Sequence, residues 1–228
     1  MTNPPASITE SPLPPDSAAL RRELVDLLIR NQTATLRVDM EAALARMGLG
    51  RFVRDIVAPM TTDVGDAWMQ GRLELFQEHY YTELVQRLLR TALSARPASG
   101  AQRPHVLLIT ASGEPHALGL LMAEVVLTLE GCRCTSLGVQ TPVWDIARAA
   151  SALGVDVVAL SHSGSVSPNE TLDMLGELRT KLPAGVAIWA GGSAPVLRRR
   201  KIDGVTPLAT LESAAAAVSA WRVVQPPA

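Results

Sequence analysis

Apolar residues return every three or four positions along the first part of the chain: Leu20, Leu24, Leu27 and Leu28; Met40, Leu44 and Met47; Phe52, Ile56, Met60 and Val64; Leu84, Leu88 and Leu89. That spacing turns one side of a helix toward a core and predicts four helices between residues 17 and 94. Gly48 and Gly50 separate the second helix from the third, and Gly71 separates the third from the fourth, so the connections suit an antiparallel bundle. Beyond residue 104 the period changes. Short apolar runs at 106–110, 135–137, 157–160 and 186–189, with a last one at Val205, alternate with helical stretches at 118–130, 143–153 and 172–182 and an alanine-rich one ending near Val223. Near-continuous apolar strands separated by helices predict a parallel sheet covered on both faces. Five such units suit a flavodoxin-like (Rossmann-type) order, whose ligand site lies beyond the carboxyl ends of the strands. The expected architecture is therefore α/β with an all-α lobe: a four-helix bundle followed by a parallel five-stranded α/β domain.

Five prolines (Pro4, Pro5, Pro12, Pro14 and Pro15) mark residues 1–16 as a disordered tail. The bundle is expected over 17–95, a Pro/Gly/Ala/Ser linker over 96–104, and the α/β domain over 105–228. Composition adds that 47% of the 228 residues are hydrophobic and 19% charged, enough apolar material for a buried core. Lysine plus arginine (21) nearly balance aspartate plus glutamate (22), and a net charge of -1 withholds the broad basic field that nucleic-acid binding requires. Cys132 and Cys134 stand two apart, a spacing that suits neither a disulfide framework nor a zinc site, and they read as reduced thiols near the start of a strand. No apolar run reaches the ~18 residues that span a bilayer, and the first residues lack a signal-peptide profile. The expectation is a cytoplasmic protein with no direct nucleic-acid or membrane partner.

The residues to read for chemistry are those just after each strand. After the first come Glu114, His116 and Gly119, with a histidine expected to face the crevice; after the third come Ser161, His162 and Ser163; after the fourth come Gly191 and Gly192, where missing side chains allow close approach to the backbone. A receiver domain would need acids at these strand ends to hold magnesium, and a phosphate-binding G-x-x-x-x-G-K-[ST] loop is absent, so neither phosphoryl chemistry fits. A lone strand-end histidine such as His116 is as often a hydrogen-bonded structural residue as a ligand.

Glu114-x-His116-x-x-Gly119, followed by Ser161 and then Gly191-Gly192, resembles the cobalamin-binding domain shared by methionine synthase, corrinoid methyl carriers and cobalamin light sensors. The resemblance implies that His116 replaces the nucleotide base as lower axial ligand of cobalt. It assigns Ser161 to the nucleotide tail, Gly119, Gly191 and Gly192 to clearance, and Ser163 to tail packing at the position where the usual motif has leucine. Glu114 stands where aspartate is commoner; an acid two residues from the histidine can hold its other ring nitrogen and fix the tautomer. His162 reads as an extra hydrogen-bonded donor.

The helical lobe carries a second motif. Trp68, nine intervening residues and then Glu78-His79 resemble the cap bundle of the light-sensing cobalamin repressors of the CarH type. There these side chains serve the upper face of the corrin. Taken singly, Trp68 reads as a core anchor and Glu78 and His79 as an exposed helix face; the joint pattern favours cofactor binding. Met69 follows the tryptophan where the repressors typically have a histidine, so a lit-state adduct would use water, His79 or another donor. Where those repressors carry a DNA-binding winged helix, only the proline-rich segment precedes residue 17. The expectation is therefore an antirepressor-like regulator that meets a transcription repressor or similar regulator through protein contacts, has no catalytic turnover, and is open to homo-oligomerisation. Adenosylcobalamin or hydroxocobalamin is the expected cofactor, with light cleaving the cobalt–carbon bond of the former. The alternative is a corrinoid protein carrying a methyl group for a methyltransferase, against which the tryptophan and Glu-His motif speaks. A third reading is a heme-binding module using His79, His116 or His162. The run Arg198-Arg199-Arg200-Lys201 reads as a solvated helix end, Trp144, Trp189 and Trp221 as packing, one of Tyr80 and Tyr81 as core, and Met40, Met47, Met60 and Met122 as core.

Overall fold

Helical periodicity and the later strand–helix alternation both carry through to the structure, a computed structural model that describes residues 17–96 and 102–225. The expected tail over 1–16 and the middle of the expected linker, 97–101, lie outside the described residues. Two compact units result, one running through Glu78 and the other starting at His79.

In the first unit α1 (Ser17–Ile29) buries Leu24, Val25 and Leu28, and α2 (Thr33–Met47) buries Leu36, Met40 and Ala43. Gly48, at φ +78°, ends α2 in a conformation that a side chain would resist. The third predicted helix is continuous but not uniform: α3 (Leu49–Arg51) passes into a π-helical turn over Phe52–Val57 and then into α4 (Ala58–Met69). The wide turn ends just before Pro59, which has no N–H to give and whose ring crowds the carbonyl four residues back; Ala58 N–H reaches Val53 instead. Phe52, Val53, Ile56 and Val57 are all buried within it. Arg21 of α1 pairs with Asp63 of α4 at 2.6 Å. After the turn at Gly71, α5 (Leu75–Ser94) begins in this unit and runs into the next. Near its start the buried Gln77 donates to the carbonyls of Leu28 and Ile29 at the end of α1, at 3.0 and 3.1 Å, and accepts from Glu74 N–H. Further along α5, Tyr81, Leu84, Val85, Leu88 and Leu89 are buried, which makes Tyr81 the core member of its pair.

The second unit is a parallel sheet of β1 (Gln102–Ala111), β2 (Cys132–Thr141), β3 (Val157–His162), β4 (Ala187–Gly192) and β5 (Val205–Leu208), in the order β2-β1-β3-β4-β5. Alternate residues sort onto two faces. Leu107, Ile109, Val158, Leu160, Ile188 and Ala190 pack on one side against α7 (Val143–Leu153) and α8 (Pro168–Lys181). Val106, Leu108, Val157, Ala159 and Trp189 pack on the other against α6 (Leu118–Leu129) and α10 (Leu211–Val224), with the short α9 (Val196–Arg199) between β4 and β5. The order reverses between β1 and β3, which opens a crevice at their carboxyl ends.

Two expectations need correction. The strands run farther than their apolar runs: Ser161 and His162 are the last residues of β3, not the loop after it, and pair in register with Gly191 and Gly192 of β4. Trp144 does not pack inside; it is 64% exposed, with Lys181 Nζ 3.7 Å from its ring centroid. Trp68 is 48% exposed, which sets aside the core-anchor reading that the residue carries when taken singly and leaves the joint-motif reading standing. Trp189 is buried, Trp221 is half-buried with Arg103 over its ring, and Arg198 to Lys201 are solvated around the end of α9 as expected.

Candidate functional site

The loop from β1 to α6 is built around Glu114. Thr110, at the buried end of β1, donates its hydroxyl to Glu114 O and accepts from Gln140 N–H, which fixes the loop against β2. Folded back in this way, the Glu114 carboxylate is 1% exposed yet saturated with donors. Oε1 accepts from His116 N–H at 3.1 Å and contacts His116 Nδ1 at 2.7 Å; Oε2 accepts from Ser163 N–H at 2.6 Å and Ser163 Oγ at 2.7 Å. Burial pushes this carboxyl's pKa up, but the donors of Ser163 and His116 outweigh it and hold the group below its ordinary value.

An ionised carboxylate only accepts, so Nδ1 of His116 carries a proton, and Nε2 is the ring nitrogen left to offer a lone pair to a ligand. The His116 side chain is 59% exposed, and the Oγ atoms of Ser163 and Ser165 stand 3.2 and 3.3 Å from Nδ1. Among the described residues the hydrogen-bond contacts of the ring fall on Nδ1, which leaves Nε2 available. This is the donor chemistry that an imidazole ligand of a borderline transition metal requires, with its tautomer fixed by a buried acid. The residues present therefore fit cobalt ligation by His116.

The remaining strand-end residues meet one another. A Cβ on Gly119 would stand 2.6 Å from Ser161 Oγ, one on Gly191 would sit 3.2 Å from Leu208 O, and one on Gly192, at φ +112°, would fall 2.1 Å from His162 O. The glycines thus clear space for β3, β5 and α6 themselves. Ser163, assigned by the motif to tail packing, spends its N–H and hydroxyl on Glu114, because the chain turns out of the sheet immediately after His162. His162, expected to be hydrogen-bonded, is 2% exposed with Nε2 lacking a partner; burial lowers its pKa and keeps it neutral. Thr110 and Ser165 escaped sequence reading, although a hydroxyl run at 161–165 was visible. In the helical part, Trp68 and Met69 are exposed at the end of α4, Glu78 is half-buried and His79 exposed on α5. Among the described residues no helix is long and apolar enough to cross a membrane, and no cluster of three His, Cys, Asp or Glu could hold a metal ion alone.

A doubly wound parallel domain with an exposed imidazole at its switch point, in a chain that also carries a helical lobe, suits a corrinoid-binding architecture. Two family models, each described as a B12 binding domain, match residues 20–92 and 104–209. The chain is 39% identical over 140 residues to the HTH-type transcriptional repressor CarH of Myxococcus xanthus, covering 61% of this chain and 46% of the repressor. It is 34% identical over 134 residues to CarA of the same organism, covering 57% of this chain and 45% of that protein. It thus matches about half the length of each of these curated relatives. The fold is shared with the monomethylamine corrinoid protein of Methanosarcina barkeri at TM-score 0.69 and 18% identity, over 90% of this chain and 99% of that one. Residues 20–92 and 104–209 thus each match a B12 binding domain: the chain carries a CarH-type cobalamin-binding region, and cobalamin is its cofactor.

Proposed function

We propose that this chain is a cobalamin-dependent, light-responsive transcriptional regulator that acts through protein–protein contacts, as an antirepressor does, and performs no catalytic turnover. The observation that carries the reading is the His116–Glu114 pair, with Nδ1 held 2.7 Å from the carboxylate and the imidazole 59% exposed, in a chain that also holds the Trp68 and Glu78-His79 motif. Bound adenosylcobalamin would supply a light-sensitive cobalt–carbon bond. His116 would ligate the cobalt, Glu114 keeps the ring in the ligating tautomer, and Ser163 and Ser165 support that carboxylate and ring. Ser161 takes the nucleotide tail, and Gly119, Gly191 and Gly192 serve it by letting α6, β3 and β5 pack closely around that serine. Trp68, Glu78 and His79 attend the upper ligand, and the exposure of Trp68 leaves its indole free for that role. Residues 17–95 act as the cap, 96–104 as the linker and 105–228 as the cobalamin domain. A light-dependent change in the bound cofactor would shift the population of conformations of residues 17–95 and so alter a partner-binding surface.

The repressor names of the two curated relatives support regulation, and the net charge of -1 supports a protein rather than a nucleic-acid partner. The free thiols Cys132 and Cys134 agree with a cytoplasmic setting. Shared architecture with a corrinoid protein keeps a methyl carrier as the second reading. One experiment separates them: absorption spectra in the dark and after green light with adenosylcobalamin, alongside size-exclusion chromatography. A bound spectrum that changes with light and an altered elution volume are expected; binding with no light response assigns the chain to methyl carriage. His116→Ala should lose the imidazole-ligated spectrum, and its retention would reject the lower-ligand assignment.

A further inference from the structure

A recess of about 340 Å³ opens beside the Glu114 loop, lined by Ala111, Ser112, His162, Val166, Thr171 and Met174 among others. Strand alternation sets it apart from the tail serine. His162 shares the sheet face of Val158 and Leu160, against α7 and α8, whereas Ser161 shares the opposite face with Val157 and Ala159 and meets Gly119 of α6. Two features of the recess call for a ligand. His162 is 2% exposed and its Nε2 has no partner, although buried polar groups are almost always paired. The walls also mix apolar surface from Ala111, Val166 and Met174 with hydroxyls from Ser112, Ser165 and Thr171.

The charges restrict what fits. Glu114 and Glu170 both line the recess, so an anion is disfavoured. Glu114 is already saturated by His116 and Ser163, and Glu170 caps α8 through Ser167, so a cation finds no free acid pair. What remains is a neutral group with a donor and an acceptor on an alkyl stem. A primary carboxamide has that form, and cobalamin's own corrin ring bears several.

We propose that this recess receives a carboxamide arm of the bound corrin, with His162 as its hydrogen-bonding anchor and therefore as a specificity-determining residue. The assignment rests on the lower-face reading of His116, since the recess and the ligand pair share Glu114.

The test titrates wild type, His162→Phe and His162→Gln with hydroxocobalamin in the dark, reading affinity by calorimetry and ligation by absorption. Phenylalanine should weaken binding about tenfold and glutamine should restore most of it, with the imidazole-ligated spectrum kept in both. Cobalamin monocarboxylates, each with one carboxamide converted to a carboxylate, give the second readout. Wild type should reject one isomer about tenfold more than the others, and His162→Phe should erase that preference. Unchanged affinity in His162→Phe, or equal binding of every isomer by wild type, overturns the assignment. Absence of an imidazole-ligated spectrum in wild type overturns the lower-face reading instead. A shift of the His162 ¹⁵N resonance caused by propionamide alone, and not displaced by hydroxocobalamin, assigns the recess to a free amide and overturns the corrin arm.

Discussion

Glu114 concentrates four hydrogen bonds on one buried carboxylate, and its protonation couples the loop's integrity to pH. Because the folded pKa lies below the ordinary 4.5, the group contributes stability that is fully present above 4.5 and is lost as pH falls through the depressed folded value. Glu114→Gln removes that dependence, and the amide must turn a donor toward Ser163 or His116. Urea denaturation between pH 3 and 6 should show a flatter acid limb in the variant. Cobalamin affinity should fall about 10–100-fold, since the imidazole loses the partner that fixes its tautomer; an unaltered acid limb and affinity would remove Glu114 from the site. The same residue shows what a motif conveys and what it omits. Glu114, His116 and their pairing were legible from spacing. The part played by Ser163 was not, because a hydroxyl two residues beyond a strand serine looks alike whether it meets a ligand or a carboxylate.

Among the elements, α1 and the start of α5 are joined by the Gln77 side-chain amide. Gln77, 4% exposed, donates to the carbonyls of Leu28 and Ile29 at the end of α1; Leu28 O also accepts from Asn31 N–H, whereas Ile29 O depends on the amide. Gln77→Ala removes the donor at Ile29 O and should cost about 1–3 kcal/mol in urea denaturation; a loss below about 0.5 kcal/mol would show that water replaces the amide. Apolar periodicity identified the helices and the strand–helix alternation because buried faces must be apolar. It fell short at the strand ends: Ser161, His162, Gly191 and Gly192 continue the ladder through backbone hydrogen bonds that side-chain polarity does not report. It misjudged Trp144 because an indole can cover Lys181 at the surface as well as fill a core.

For the molecule as a whole, 21 basic and 22 acidic residues leave no field to gather a polyanion, and the Arg198 to Lys201 run is a local exception beside a short helix. A mobility-shift assay of this chain alone at about 150 mM salt should show no retained duplex DNA, with or without cobalamin. Salt-dependent binding there would move the regulatory reading from protein contacts to direct DNA contact. The π-helical turn at Phe52–Val57 has a consequence of its own for evolutionary comparison. Such a turn houses one residue more than regular winding allows, so it behaves as a stored insertion. Relatives that lack it will align with a one-residue gap in the third helix. Deleting any one of the six residues in this chain should wind that helix regularly and leave Ala58 to Trp68 on the faces they now occupy, whereas the same deletion within the regular winding of α4 would turn the residues beyond it by about a quarter-turn.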